Sequence, residues 1–102
     1  MKKKSTKKSP AQHVIIRSYS AGVFAGTLMS KCDSGPGRQR VVLNGSRRLW
    51  KWVARDGIAL SGVAVHGVKR DESKIDTVID NHTIDDVIEI LPTTPASQET
   101  LR

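Results

Sequence analysis

The first half of the chain alternates short runs of β-branched and apolar residues with small or turn-forming residues. The segments "HVIIRSY" (13–19) and "VFAGTLMS" (23–30) flank the small residues "SAG", and "QRVVL" (39–43) follows the loop-like "DSGPG". Runs of this length, rich in Val and Ile and bounded by Gly, Pro and Ser, are typical of β-strands. The pattern therefore predicts three strands before residue 44.

A fourth strand is predicted from an Asn-Gly pair and the run behind it. Asn44-Gly45 is the pair that a type I′ hairpin turn prefers, because both central residues of that turn need positive φ. We therefore expect "SRRLWKWV" (46–53) to return alongside the third strand. The first half then forms an antiparallel meander.

The segment from Gly57 to Val68 mixes two signals. Its apolar residues recur at helical spacing, but its valines and Gly62 weaken a helix. We predict a short helix that ends at Gly67.

Two further strands are predicted after this helix. The segment "KIDTVI" (74–79) is rich in β-branched residues, and a last strand lies near residues 87–91. Thr94 followed by Pro95 then fits a helix start, with Thr as the N-cap and Pro at the first helical position.

Together these elements predict a mainly β (α+β) fold, a small curved or barrel-like antiparallel sheet of about six strands with one short helix. A chain of 102 residues has room for one core. We expect residues 1–11 to be a disordered basic tail, residues 12–97 to be a single small β-rich domain, and residues 98–102 to be a flexible C-terminus.

Charge is distributed unevenly along the chain. The sequence has 17 Lys and Arg against 10 Asp and Glu. Residues 31–55 hold seven basic residues and one acidic residue, whereas residues 71–89 hold seven acidic residues and one basic residue. Two interpretations stay open. The basic middle binds an anionic partner, or the two segments face each other, within the fold or between the copies of a homo-oligomer.

No catalytic or metal-binding pattern stands out. His82 lies near several aspartates, but the spacing matches no known ligand pattern, and an acidic surface turn is the simpler interpretation. His66 lies in an apolar segment and reads as a packed histidine, and Cys32 is alone, so it forms no internal disulfide. We therefore expect no enzymatic activity, no metal and no cofactor.

The stretch "NGSRRLWKW" is the best candidate for a binding surface. On a strand, Arg48, Trp50 and Trp52 share one face, because alternate side chains point the same way. An indole can stack on a base or a guanidinium group, and arginine pairs with phosphate. The alternative is that both indoles anchor the core. We expect Trp50 to be mainly the core anchor, with Trp52, Arg47 and Arg48 nearer to a ligand.

Four segments together resemble a family of small phage and prophage proteins of unassigned function: "VIIRSYSAGVFAGTL", "VVLNGSRRLWKWV", "ALSGVAVHGV" and "VIEILPTTPAS". Members typically have a Tyr-Ser-Ala-Gly-Val turn, an Arg-Arg-x-Trp-x-Trp strand, a short helix and a last strand. The resemblance covers about residues 13–97. It implies phage origin and favours a helix in the ambiguous segment, and it carries over the following residues: Tyr19, Ser20, Ala21, Gly22, Arg47, Arg48, Trp50, Trp52 and Gly67.

The sequence therefore predicts a phage accessory protein that binds an anionic partner, a nucleotide or nucleic acid, and countering host defence signalling is one role that such binding would serve. The alternative is a protein–protein interaction or virion assembly protein that acts as a homo-oligomer on a host protein or the virion. No apolar stretch reaches the length of a membrane span, about 20 residues, so we expect a soluble protein of the host cytoplasm, with virion association left open. The candidate ligand-binding residues are Arg47, Arg48, Trp50, Trp52, Lys51, Arg40 and Tyr19.

Overall fold

The structure is a computed structural model that describes residues 12–56 and 59–102. The tail predicted for residues 1–11 lies outside the described residues. The described part contains five strands, two α-helices and one 3₁₀ turn. In chain order these are β1 His13–Ser18, β2 Gly22–Gly35, β3 Arg38–Lys51, α1 Leu60–His66, the 3₁₀ turn Arg70–Glu72, β4 Lys74–Ile75, β5 His82–Pro92 and α2 Pro95–Leu101.

The strands close into a small barrel. β1 pairs antiparallel with β2 on one edge and with β5 on the other, and β3 also pairs with both β2 and β5, so that these four strands form a ring. The short β4 adds to the far end of β3. The predicted fold class, a mainly β, barrel-like antiparallel sheet, is confirmed.

The Asn-Gly pair does not reverse the chain, and the predicted hairpin there is wrong. Thr27 pairs with Asn44 and Ala25 pairs with Arg47, so two residues of β3 oppose Gly26 alone. Gly45 has a φ of 59°, which is the signature of a β-bulge with glycine in the left-handed region. The predicted third and fourth strands are therefore one strand, which is why five strands are found where about six were expected.

The chain reverses instead at Pro36-Gly37. Gly35 and Arg38 are paired across the end of the β2–β3 hairpin, and Gly37 has a φ of 70°. Proline followed by a residue with positive φ suits the two central positions of a type II turn. The loop expected at "DSGPG" is thus reduced to two residues.

Two apolar clusters stabilise the barrel, one inside it and one outside. The interior cluster contains Val14, Ile16, Phe24, Val41, Leu43, Ile84 and Val87. The exterior cluster contains Ile15, Ala25, Leu49, Leu60, Val63, Ala64, Val68 and Leu101. The run "VII" in β1 is buried on both faces because α1 and α2 cover the outside of the sheet.

The two helices pack together on the outside of the sheet. α1 ends at Gly67, as predicted, where a φ of 90° lets its N–H donate to the Val63 carbonyl oxygen at 2.8 Å. α2 begins with the predicted cap, since the Thr94 hydroxyl accepts the Ser97 N–H at 3.2 Å. The predicted domain limit at residue 97 falls inside this helix, and Leu101 is buried in the exterior cluster. Neither helix in the described ranges is long and apolar enough to cross a membrane.

Candidate ligand-binding site

The structure separates the seven predicted site residues into three places. Arg47, Arg48 and Trp50 lie together at the rim of the barrel, and Lys51 follows them at the end of β3. Trp52 lies beyond the strand, beside α1. Arg40 and Tyr19 lie at the opposite end of β3. Arg40 and Arg48 are eight residues apart on this strand, which corresponds to roughly 25 Å of extended chain.

The two tryptophans have the reverse of their expected roles. Trp50 is 65% exposed, whereas Trp52 is half-buried against the exterior cluster. The expectation that Trp50 anchors the sheet is wrong. Leu49 packs in the exterior cluster, so strand alternation points Trp50 to the opposite face, beside Arg48, where it stays exposed. β3 ends at Lys51, so the alternation no longer fixes Trp52.

Arg48 forms the centre of the rim. Its guanidinium carbon lies 4.8 Å from the centroid of the Phe24 ring and 5.3 Å from the centroid of the Trp50 ring. Its Nε is buried without a hydrogen-bond partner. Arg48 forms no ion pair with any residue that the structure describes. The site therefore presents an arginine charge that cation–π contacts hold in place and that no carboxylate of the described ranges pairs with.

Asp76, which follows β4, fixes the orientation of the rim. Its Oδ2 accepts the indole N–H of Trp50 at 3.0 Å, and its main-chain oxygen accepts the Nε–H of Arg47 at 2.8 Å. The Trp50 hydrogen bond lowers the pKa of Asp76, and the Thr77 N–H and the nearby Arg48 and Arg47 act in the same direction. The carboxylate therefore stays ionised and holds the exposed indole in one orientation.

His82 and Ser46 form the polar floor beneath Arg48. The His82 ring meets Phe24 edge-to-face, with centroids 5.1 Å apart, and its Nδ1 lies 2.9 Å from the Ser46 hydroxyl oxygen. Burial lowers the pKa of His82, and the positive charge of Arg48 lowers it further. Because Ser46 is fully buried, this Ser-His pair holds β3 against β5 and does not present a hydroxyl at the surface.

Arg40 and Tyr19 belong to a cluster whose charges pair within the chain. Arg40 forms an ion pair with Asp85 at 3.0 Å, and Arg38 forms one with Asp86 at 3.3 Å. The hydrogen bond from Arg40 lowers the pKa of Asp85 to about 2. The Arg38 guanidinium carbon lies 5.8 Å from the Tyr19 ring centroid. The basic middle and the acidic late segment therefore face each other within one chain.

Sequence reasoning missed Asp76, Phe24 and His82 as parts of the rim. Their contribution depends on which strands meet, which no local pattern reveals. The one available signal was the single carboxylate inside "KIDTVI", on a segment expected to pair somewhere in the sheet. No group of three or more His, Cys, Asp or Glu side chains in the described ranges could hold a metal ion.

A family model described as "Domain of unknown function (DUF6948)" matches residues 11–101. No curated protein matches the chain, and neither does any solved structure.

Proposed function

Because the chain belongs to the DUF6948 family, a domain of unknown function, we propose its function from the site alone. The domain is a non-catalytic binding module whose rim, formed by Arg47, Arg48, Trp50 and Asp76, binds a nucleotide or unpaired nucleic acid. One observation carries this proposal: an exposed indole, oriented by Asp76, lies beside an arginine that forms no ion pair within the described part of the chain.

The exposed indole suits a flat ring. Leaving Trp50 65% exposed forgoes apolar burial in a domain with only four aromatic residues. The hydrogen bond to Asp76 fixes the ring before binding, which reduces the conformational entropy lost on stacking. Stacking of one base on an aromatic side chain contributes roughly 1–3 kcal/mol. Because neighbouring base pairs stack on the faces of each base in a duplex, the site favours an unpaired, unstacked base.

The charges around the indole suit a phosphate. Among the described residues, Arg48 has no ion-pair partner, and Arg47 donates its Nε–H to a main-chain oxygen. Lys51 and Lys74 are directly opposite in the β3–β4 pairing, and both are exposed. Like charges in a cross-strand pair repel each other, and a bound anion would relieve that repulsion.

The resemblance to small phage and prophage proteins gives this binding a cellular setting. We place the domain among phage accessory proteins that act in the host cytoplasm by sequestering a nucleotide, which would blunt nucleotide-based defence signalling. This part of the proposal rests on sequence resemblance alone, whereas the binding part rests on the rim.

A second candidate function is protein–protein recognition. Val78 and Ile79, on the segment after Asp76, are about half exposed. Tryptophan and arginine beside exposed aliphatic side chains are typical of interface hot spots. A host or virion protein would then cover the indole together with these two residues.

The first function is tested by titrating the protein with mononucleotides and short single-stranded oligonucleotides while following tryptophan fluorescence. If Arg47 and Arg48 each contact one phosphate, the logarithm of the affinity should fall with the logarithm of the salt concentration with a slope of roughly −1.4 for single strands. Arg48→Gln should weaken binding at least tenfold and reduce the slope by about 0.7. A matched duplex should bind more weakly than its single strand.

Arg40→Gln is the matched control, because it also removes one positive charge from β3 but at the end where Asp85 pairs with it. It should leave the affinity within about twofold. Equal losses in the two variants would show that binding follows net charge and would exclude the rim as the site. Protein capture that requires Val78 and Ile79, without nucleotide binding, would favour the second function.

A further inference from the structure

The distal half of β2 has a backbone edge that no described strand pairs with. β1 reaches β2 only as far as Thr27, where the Leu28 N–H donates to the Gln12 carbonyl oxygen at 2.8 Å. β3 pairs with the other edge of β2 as far as Gly35. From Met29 to Gly35 the outer edge of β2 therefore faces solvent or residues outside the described ranges, and every side chain of this segment is exposed.

An edge of this length is a template for another strand. Its unpaired N–H and C=O groups can form a ladder with any extended segment, and proteins usually protect such edges with charges, prolines or bulges. The segment Met29–Gly35 contains no proline, and its only charged residues are Lys31 and Asp33. Register shifts mark bulges at Met29 and Ser34, so the regular part of this edge is Ser30–Asp33, which includes both charges. Neither forms an ion pair with another described residue.

We propose that this edge binds a second copy of the same chain. In an antiparallel pair related by a two-fold axis at Cys32, Lys31 of each copy lies directly opposite Asp33 of the other. Directly opposite residues have their Cβ atoms about 4.5–5.5 Å apart and point to the same face, so both pairs attract. The sequence "KCD" is self-complementary in this register, as a closed isologous interface requires.

The charges also select the register. An axis at Lys31 would place the two lysines opposite each other, and an axis at Asp33 would do the same to the two aspartates. Like charges directly opposite are unfavourable. Only the axis at Cys32 pairs opposite charges, so Lys31 and Asp33 discourage other strands and favour an identical one.

The dimer would join two β2–β3 hairpins into one four-stranded sheet. A single strand pair falls short of the roughly 1,000 Å² that a stable interface buries, so we expect a dimer that forms with rising protein concentration. It differs from the self-association expected from the sequence, because the basic middle and the acidic late segment are already paired within one chain.

Charge reversal tests the register directly. Sedimentation of the full chain over a range of concentrations should show a monomer–dimer equilibrium that weakens as salt rises. Lys31→Asp creates two Asp–Asp contacts and should weaken the dimer at least tenfold. The double variant Lys31→Asp/Asp33→Lys restores both opposite pairs and should return dimerisation to within about threefold of the wild type. Both sites are exposed in the hairpin, so the variants should keep the native fold.

Cys32 provides a second readout. Directly opposite residues of an antiparallel pair have Cα atoms 4.5–5.5 Å apart, within the range of a disulfide. Diamide, added as the oxidant, should therefore couple two Cys32 thiols into one S–S bond, accepting their two electrons and two protons. The Lys31→Asp variant should cross-link more slowly, and the double variant at the wild-type rate.

Two results would overturn the proposal. The first is a charge-swapped double variant that remains as monomeric as Lys31→Asp. The second is a wild-type chain that stays monomeric at every concentration and salt, which would leave the edge to residues 1–11 or to another protein.

Discussion

The rim around Trp50 and the helix-covered side around Trp52 differ although only one residue separates the two indoles. At the rim, the indole is held by a hydrogen bond and a cation and is left open to solvent. On the covered side, the second indole packs beside the cluster that α1 and α2 complete. One indole is therefore open to solvent, whereas the other contributes to an apolar cluster.

Substitutions on the helix-covered side should lower the free energy of unfolding more than substitutions at the rim. Leu101 is 2% exposed and packs in the exterior cluster. Leu101→Ala should lower the free energy of unfolding by about 2–4 kcal/mol, the usual loss for a buried leucine. Urea denaturation measures this loss, and Glu99→Ala on the same helix should change it by less than about 0.5 kcal/mol. Equal small effects would show that α2 does not contribute to the core.

Trp52 should likewise contribute more than Trp50 to the free energy of unfolding. Trp52→Ala should cost about 2–3 kcal/mol, less than a fully buried aromatic because the side chain is only half-buried. Trp50→Ala should cost less than about 1 kcal/mol, since it removes one hydrogen bond to an exposed carboxylate. Urea denaturation of both variants compares the regions directly. A larger loss for Trp50→Ala would reverse the assignment.

The sequence predicts features that depend on neighbouring residues better than features that depend on which strands pair. The helix stop at Gly67 and the cap at Thr94 are local, so they were correct. Asn44-Gly45 misled because its preference for positive φ serves a bulge as well as a turn, and only the pairing with β2 decides between them. The tryptophans were misassigned for another reason. Alternation placed Arg48 and Trp50 on one face, as the structure does, but it does not reveal whether that face is covered, and it ends with β3 at Lys51.

Acid should weaken the fold through its two half-buried histidines, His13 and His82. Burial lowers the pKa of His82 and of His13 in the folded protein. The unfolded chain then binds more protons below about pH 6.5, so the free energy of unfolding should fall as the pH drops from that value. Denaturation at several pH values measures the slope. A stability that rises on acidification would contradict the lowered pKa of these two histidines.

Of the two histidines whose pKa is lowered, Arg48 should influence only His82. Its positive charge is one cause of the lowered pKa of His82, after burial, whereas Arg102 and not Arg48 acts on His13. In Arg48→Gln the pKa of His82 should rise while that of His13 stays unchanged, which an NMR titration of the histidine rings resolves. A shift of both rings, or of neither, would mean that Arg48 does not cover the floor of the rim.

The most direct test of the rim as the binding site uses variants with one indole each. In Trp52→Phe the remaining Trp50 should emit at long wavelength, and single-stranded oligonucleotide should quench it in a saturable, salt-sensitive manner. In Trp50→Phe the remaining Trp52 should emit at shorter wavelength and should not respond to the same titration. Quenching of Trp52 alone, or of neither indole, would contradict the account.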